Sequence, residues 1–175
     1  MTRDHVRAWV VLVMLTVLCG AKEPEPAPPT DKATGRFLYQ GVVDLNGVTA
    51  TDLQARARAW VATVYRSGRD VVQLDDTQAG RIIAKGNFTI PWLTETARVH
   101  HTLTIEFKDG RYRYTLTDFL FQGSQWPEPV PLEDKKGQDF GWGKVMSRVA
   151  ARAESLLSDF KAAMTRTSLV GDDKW

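Results

Sequence analysis

The chain has 175 residues, with 23 Lys plus Arg against 21 Asp plus Glu, three His and a single Cys. A formal charge of +2, dispersed along the chain, argues against a nucleic-acid footprint, and one Cys excludes both an intrachain disulfide framework and a Cys-rich zinc site. With 43% hydrophobic residues the bulk of the chain can build a core, which excludes low-complexity disorder.

At the N-terminus, Arg3 and Arg7 precede an apolar run, Ala8–Leu18. That run falls short of the roughly 20 residues a bilayer requires, and has the length of a signal-peptide core. Residues 1–21 therefore read as a signal peptide, with Cys19 and Ala21 at positions −3 and −1 of a cut after Ala21. Cys19 has a second reading as a lipidation site. Leu18 precedes it where lipidation favours Gly, Ala or Ser, so simple cleavage is preferred. The expected location is periplasmic or secreted, with membrane attachment only through a lipid on Cys19. Residues 22–35, which carry four prolines in KEPEPAPPTDK, read as an extended, solvated spacer.

The folded domain is expected over residues 36–168, followed by a flexible tail, 169–175. Phe37 to Val43 is strand-like. Thr51 and Gln54 have the spacing of a capping box, and Leu53, Ala57, Trp60, Val61, Val64 and Tyr65 form one helical face, so the spacing predicts a helix over Leu53–Arg66. From Asp70 to Gly123 the period becomes two. Val71–Leu74 is a short strand. Ile82, Ala84, Gly86, Phe88 and Ile90 alternate with polar residues until Pro91, which marks a strand end. Val99, His101, Leu103, Ile105 and Phe107 share the apolar face of the next strand. Asp109-Gly110 predicts a two-residue type I′ hairpin. That turn pairs Phe107 with Tyr112, Ile105 with Tyr114 and Leu103 with Leu116 on the apolar face. On the other face it pairs Glu106 with Arg113, Thr104 with Thr115 and Thr102 with Thr117. Residues 122–139 are Pro-rich and charged, a long connection. A second amphipathic helix is predicted over Val145–Met164.

The order β-α-β-β-β-β-α, joined by short hairpins, implies an α+β domain of two layers. An antiparallel sheet of four to five strands carries two helices on one face and leaves the other face polar and open.

Four stretches resemble a known family: Tyr39-Gln40-Gly41-Val42-Val43, Val72-Gln73-Leu74-Asp75-Asp76, Ile82-Ile83-Ala84-Lys85-Gly86, and Lys108-Asp109-Gly110-Arg111-Tyr112-Arg113 through Asp118-Phe119. These resemble bacterial domains of unknown function with a TBP-like fold, typically found in secreted proteins. The resemblance covers roughly residues 36–122. It implies the fold, carries no catalytic residues, and does not transfer DNA binding to an exported chain of this charge.

The chemistry of the residues points away from catalysis. His100 and His101 lie on opposite faces of one strand and cannot share a metal. His101 stands opposite Asp118 in the hairpin register, as a hydrogen-bonded pair at the sheet end; a hydrolase built on these two would lack a nucleophile. Asp75-Asp76 reads as a solvated turn. No phosphate loop, dinucleotide fingerprint or hydrolase motif is present. No cofactor or metal is expected. Arg81, Arg98, Arg111, Arg113, Lys85 and Lys108 could form an anion-binding face, but Glu106, Asp109 and Glu95 lie close in sequence and favour a mixed, solvated surface. The expected function is a non-catalytic module that binds an envelope protein, peptide or glycan. It would use the open face (Thr104, Thr115, Arg113) or loop aromatics (Trp126, Trp142), which could equally fold over the sheet edge. The alternative is a carrier with an apolar cavity lined by Phe88, Ile90, Tyr114 and Phe160.

Overall fold

The computed structural model describes residues 26–65, 72–124, 126–134 and 141–166. The expected signal peptide with Cys19, the first residues of the expected spacer and the expected C-terminal tail lie outside the described residues.

Strand β1 (Tyr39–Asp44) leads into helix α1 (Ala50–Val64); β2 (Val72–Asp76), β3 (Arg81–Trp92), β4 (Glu95–Lys108), β5 (Arg111–Gly123) and β6 (Trp126–Pro131) follow, and helix α2 (Trp142–Thr165) closes the order. The strands form one antiparallel sheet in the order β1-β5-β4-β3-β2, with β6 also on β5. Both helices bury their apolar stripes on one face. Leu53, Ala57, Trp60 and Val61 of α1, and Val149, Ala153, Phe160 and Met164 of α2, join Ile82, Leu103, Ile105 and Leu116 of the sheet in a single core. The expected two-layer α+β architecture is therefore present.

The β4–β5 hairpin has the expected register from Lys108↔Arg111 to Thr102↔Thr117. Its turn differs from the expected one. Gly110 has φ 75°, but Asp109 is not among the residues at positive φ, which gives the φ pattern of a type II turn rather than type I′. Asp109 is held elsewhere: its Oδ1 accepts the Ala50 N–H at 2.8 Å, at the start of α1. The two-residue count still fixes the pairing.

Beyond Thr117 the register slips. One extra β5 residue falls between the pairs Thr102↔Thr117 and His100↔Leu120, and Asp118 in this bulge has φ 54°. The expected pairing of His101 with Asp118 is thereby broken. Asp118 is exposed and meets Arg36 at 3.3 Å, while His101 is buried.

Four other expectations are corrected. Helix α1 starts earlier, at the N-cap Thr49, whose Oγ1 accepts the Asp52 N–H at 3.1 Å; Thr51 and Gln54 are inside the helix. Strand β3 continues through Pro91 to Trp92, because β2 covers β3 only as far as Ala84 and leaves Pro91 on a local edge. The Pro-rich connection contains β6, an edge strand on β5, where proline is tolerated. The spacer is ordered before Arg36: Pro28 is buried, Thr30 bridges Phe37, and the Leu38 N–H donates to the Pro29 carbonyl at 2.9 Å.

Candidate functional site

Strand alternation that sends one set of side chains into the core sends the other to the uncovered face. Pairing across the sheet arranges this second set in rows. One row runs Asp76, Arg81, Glu106, Arg113, Val42, from β2 through β3, β4 and β5 to β1. The next runs Leu74, Ile83, Thr104, Thr115, Gln40. Arg113, Thr104 and Thr115 thus share one surface near its middle, as expected. Arg113 donates from Nε to Glu106 Oε2 at 2.7 Å, and its Nη2 lies 2.6 Å from the same oxygen. The four threonines 102, 104, 115 and 117 are half-buried between strands, and Thr117 Oγ1 donates to the Phe37 carbonyl at 3.2 Å.

At the hairpin end of this face lies a groove of about 290 Å³, lined in part by Val42, Gly80, Glu106, Lys108, Arg111 and Arg113. Val42, at 59% exposure, is one of two large apolar side chains left open to solvent among the described residues; the other is Leu93.

The tryptophans proposed as recognition anchors sit elsewhere. Trp142 is buried, with its ring 6.4 Å from Trp92 and 5.4 Å from Phe121. Trp126 is half-buried, 5.9 Å from Phe121. Of their two expected roles, the geometry gives these rings the one of folding over the sheet edge. The residues named for a carrier cavity are core: Phe88, Ile90, Tyr114 and Phe160 are all buried, and Phe160 packs 4.9 Å from Trp60 and 5.4 Å from Tyr112.

His101 occupies an unexpected setting. Its Nε2 is 2.8 Å from Tyr65 Oη, its ring stacks on Phe88 at 5.3 Å, and its Nδ1 is buried without a partner. Burial pushes its pKa down from 6.5 to about 4, and burial raises the Tyr65 hydroxyl. No signal in the sequence tied Tyr65 to His101, since 36 positions separate them. Asp75, assigned to a solvated turn, lies within β2, one residue before its end, and faces α1. The Arg58 guanidinium and Gln54 Nε2 bind its carboxyl and lower its pKa. No group of three His, Cys, Asp or Glu suited to a metal occurs among the described residues.

Residues 39–122 match the model of the family described as a domain of unknown function (DUF4468) with TBP-like fold. The fold is TBP-like. A TBP-like protein from Parabacteroides distasonis superposes with a TM-score of 0.69 over 80% of this chain and 98% of its own, at 14% identity. A DUF4468 family protein from Bacteroides ovatus gives 0.62 over 83% and 94%, at 13% identity. At such identities the likeness speaks for the fold alone. No curated protein matches the chain. The DUF4468 match ends at Gln122, one residue before the end of β5, so β6 and α2 complete the TBP-like sheet and its helical layer from outside the matched residues.

Proposed function

We propose that this TBP-like domain is a non-catalytic binding module of the bacterial envelope, and that its open sheet face is the binding surface. The observation that carries this reading is the asymmetry of the sheet. Both helices pack on one face, and the other presents Thr104, Thr115 and the Arg113–Glu106 pair with an exposed Val42 beside them. Polar rows of this kind offer hydrogen-bond donors and acceptors at fixed spacing to a protein, peptide or glycan. Export rests on the charged start and short apolar run of residues 1–21. Among the described residues no helix is long and apolar enough to cross a membrane.

Two measurements test the reading. Intact-mass analysis of the protein from its native host should give a chain starting at Lys22. A mass retaining Met1 overturns export, and a lipid-bearing start at Cys19 converts simple secretion into anchoring. Native mass spectrometry of the same material should show a co-purifying protein, peptide or glycan that is lost in the Thr104→Arg/Thr115→Arg variant. Retention of the ligand by that variant would move the surface elsewhere.

A further inference from the structure

We infer that the outer edge of β3 beyond Ala84 takes an extended acidic peptide as an added strand, at a surface separate from the open face. The backbone provides the edge. The Phe107 N–H donates to the Gly80 carbonyl at 2.8 Å, and Gly80 immediately precedes the pair Arg81↔Glu106. Antiparallel bonding alternates, so the even-numbered residues of β3 bond β4, and Asn87, Thr89 and Pro91 turn their main-chain groups outward. β2 covers β3 only to Ala84, and among the described residues no strand meets Asn87 or Thr89 from outside. At Pro91 the outward carbonyl accepts a hydrogen bond from Arg148 Nη1 at 2.6 Å, which agrees with this register and closes the bare stretch.

Charge selects the occupant. Helix α2 has no Asp or Glu from Trp142 to Ala153, while Lys144, Arg148 and Arg152 recur at a spacing of four along one line. Arg148 reaches the edge at Pro91, and the Arg152 guanidinium lies 6.0 Å from the centre of the Phe88 ring. Lys85, exposed, heads the bare stretch on the open-face side. Carboxylates do not match these four cations. Glu95 faces Trp92 at the tip of the β3–β4 hairpin, and Asp75 and Asp76 pair with Ile82 and Arg81 at the covered end of β3. Glu154 lies towards Tyr39 at the far edge of the sheet, and Asp159 accepts the Trp60 indole N–H at 2.9 Å. The stretches 66–71 and 135–140 add two Arg and two Lys against two Asp, which keeps the sum positive. An extended acidic peptide gains main-chain hydrogen bonds from Asn87 and Thr89, with its carboxylates facing Arg148 and Arg152 on the helical side and Lys85 on the other. Lys85 and Pro91 are the residue types that keep a bare edge from pairing with neutral strands. A free inorganic anion gains only the charge contacts.

The test uses the full chain, titrated with a capped hexapeptide alternating Glu and Val and with its Gln counterpart, and followed by amide chemical shifts and hydrogen exchange. In the free chain the Asn87 and Thr89 amides should exchange fast. The acidic peptide should shift both and slow their exchange, with the Gln peptide at least tenfold weaker and affinity falling as salt rises. Asn87→Pro removes an outward N–H where an edge strand tolerates proline, and should abolish binding with the circular dichroism unchanged. Lys144→Ala/Arg152→Ala, at two exposed positions, should weaken the acidic peptide at least tenfold, and decides the matter if Asn87→Pro fails to fold. Protection of both amides in the free chain, equal binding of the Gln peptide, or undiminished affinity in either folded variant overturns the inference. Displacement of the peptide by inorganic phosphate at equal concentration overturns it in favour of a small-anion site. Absence of peptide binding also overturns it and leaves the open-face module standing. Thr104→Arg/Thr115→Arg, which tests that module, should leave the shifts at Asn87 and Thr89 in place; their loss would merge the two surfaces and overturn the separate site.

Discussion

The ring of Tyr65 occupies the volume that a side chain on Gly86 would take. A Cβ at Gly86 would come within 2.7 Å of Tyr65 Cδ1 and Cζ, and closer still to Cε1. Gly86 pairs with His101 in the β3–β4 register, and the Tyr65 hydroxyl bonds that same histidine. A residue at the end of α1 is thus locked into the sheet by a strand position left without a side chain. Gly41 makes the same provision for Tyr114, whose Oη would lie 2.6 Å from a Cβ there.

Gly86→Ala should therefore destabilise the domain by about 1–3 kcal/mol, the usual cost of overpacking. Chemical denaturation should show a lowered midpoint with an unchanged slope. Stability at or above that of the parent chain would mean that Tyr65 does not hold this position in solution.

His101 gives the stability a pH dependence whose sign is fixed. Its folded pKa, about 4, lies below the ordinary 6.5, so between those values the unfolded chain binds the proton and the native state does not. The contribution is complete above pH 6.5, declines as pH falls towards 4, and is constant below. The gap corresponds to about 3 kcal/mol. The chain with His101→Phe should lose that slope, even though Tyr65 then lacks its partner. A slope that survives the substitution would assign it to other groups.

The two faces of β4 should respond oppositely to charge. Leu103 is fully buried, and Leu103→Asp places an unpaired carboxylate in the core at a cost of several kcal/mol, enough to unfold a marginal domain. Thr104→Asp, one residue on and half-exposed, should cost about 1 kcal/mol or less. Circular dichroism of the two variants checks this, and equal damage would contradict the sheet orientation.

Caps give a finer test. Thr49→Ala removes the acceptor for the Asp52 N–H and should cost about 1 kcal/mol, whereas Thr51→Ala, inside the helix and exposed, should be near neutral. The reverse ranking in thermal denaturation would restore the cap to Thr51.

Much of this architecture was legible because alternation and turn length act locally. The Asp109-Gly110 count set six pairs of the β4–β5 register, and alternation placed Thr104, Thr115 and Arg113 on one face. What was hidden arises from contacts between distant residues. Asp118 sits in a bulge that no local signal announces, so the histidine expected beside it found Tyr65 instead. The helix cap was ambiguous because Thr49 and Thr51 each stand three residues before a polar side chain, and the choice depends on where the Asp109 carboxylate docks. Strand β6 was masked by its prolines, which pattern rules assign to loops although a sheet edge accepts them. The groove was missed for a similar reason. Its lining comes from β1, the β2–β3 turn and the β4–β5 hairpin, which only the strand order brings together.

The division of the outer edge of β5 between β1 and β6 has a consequence for assembly. β4 and β5 meet through a two-residue turn, and β6 returns to β5 after another short connection, so these pairings close quickly. β1 must instead find β5 across the whole of α1, β2, β3 and β4, pairing Tyr39 with Leu116. Its loop-closure entropy is the largest in the sheet, and its docking belongs late in folding. Until β1 arrives, the Arg111–Leu116 half of β5 is a bare edge; a chaperone that holds unfinished chains would find its recognisable feature in that stretch.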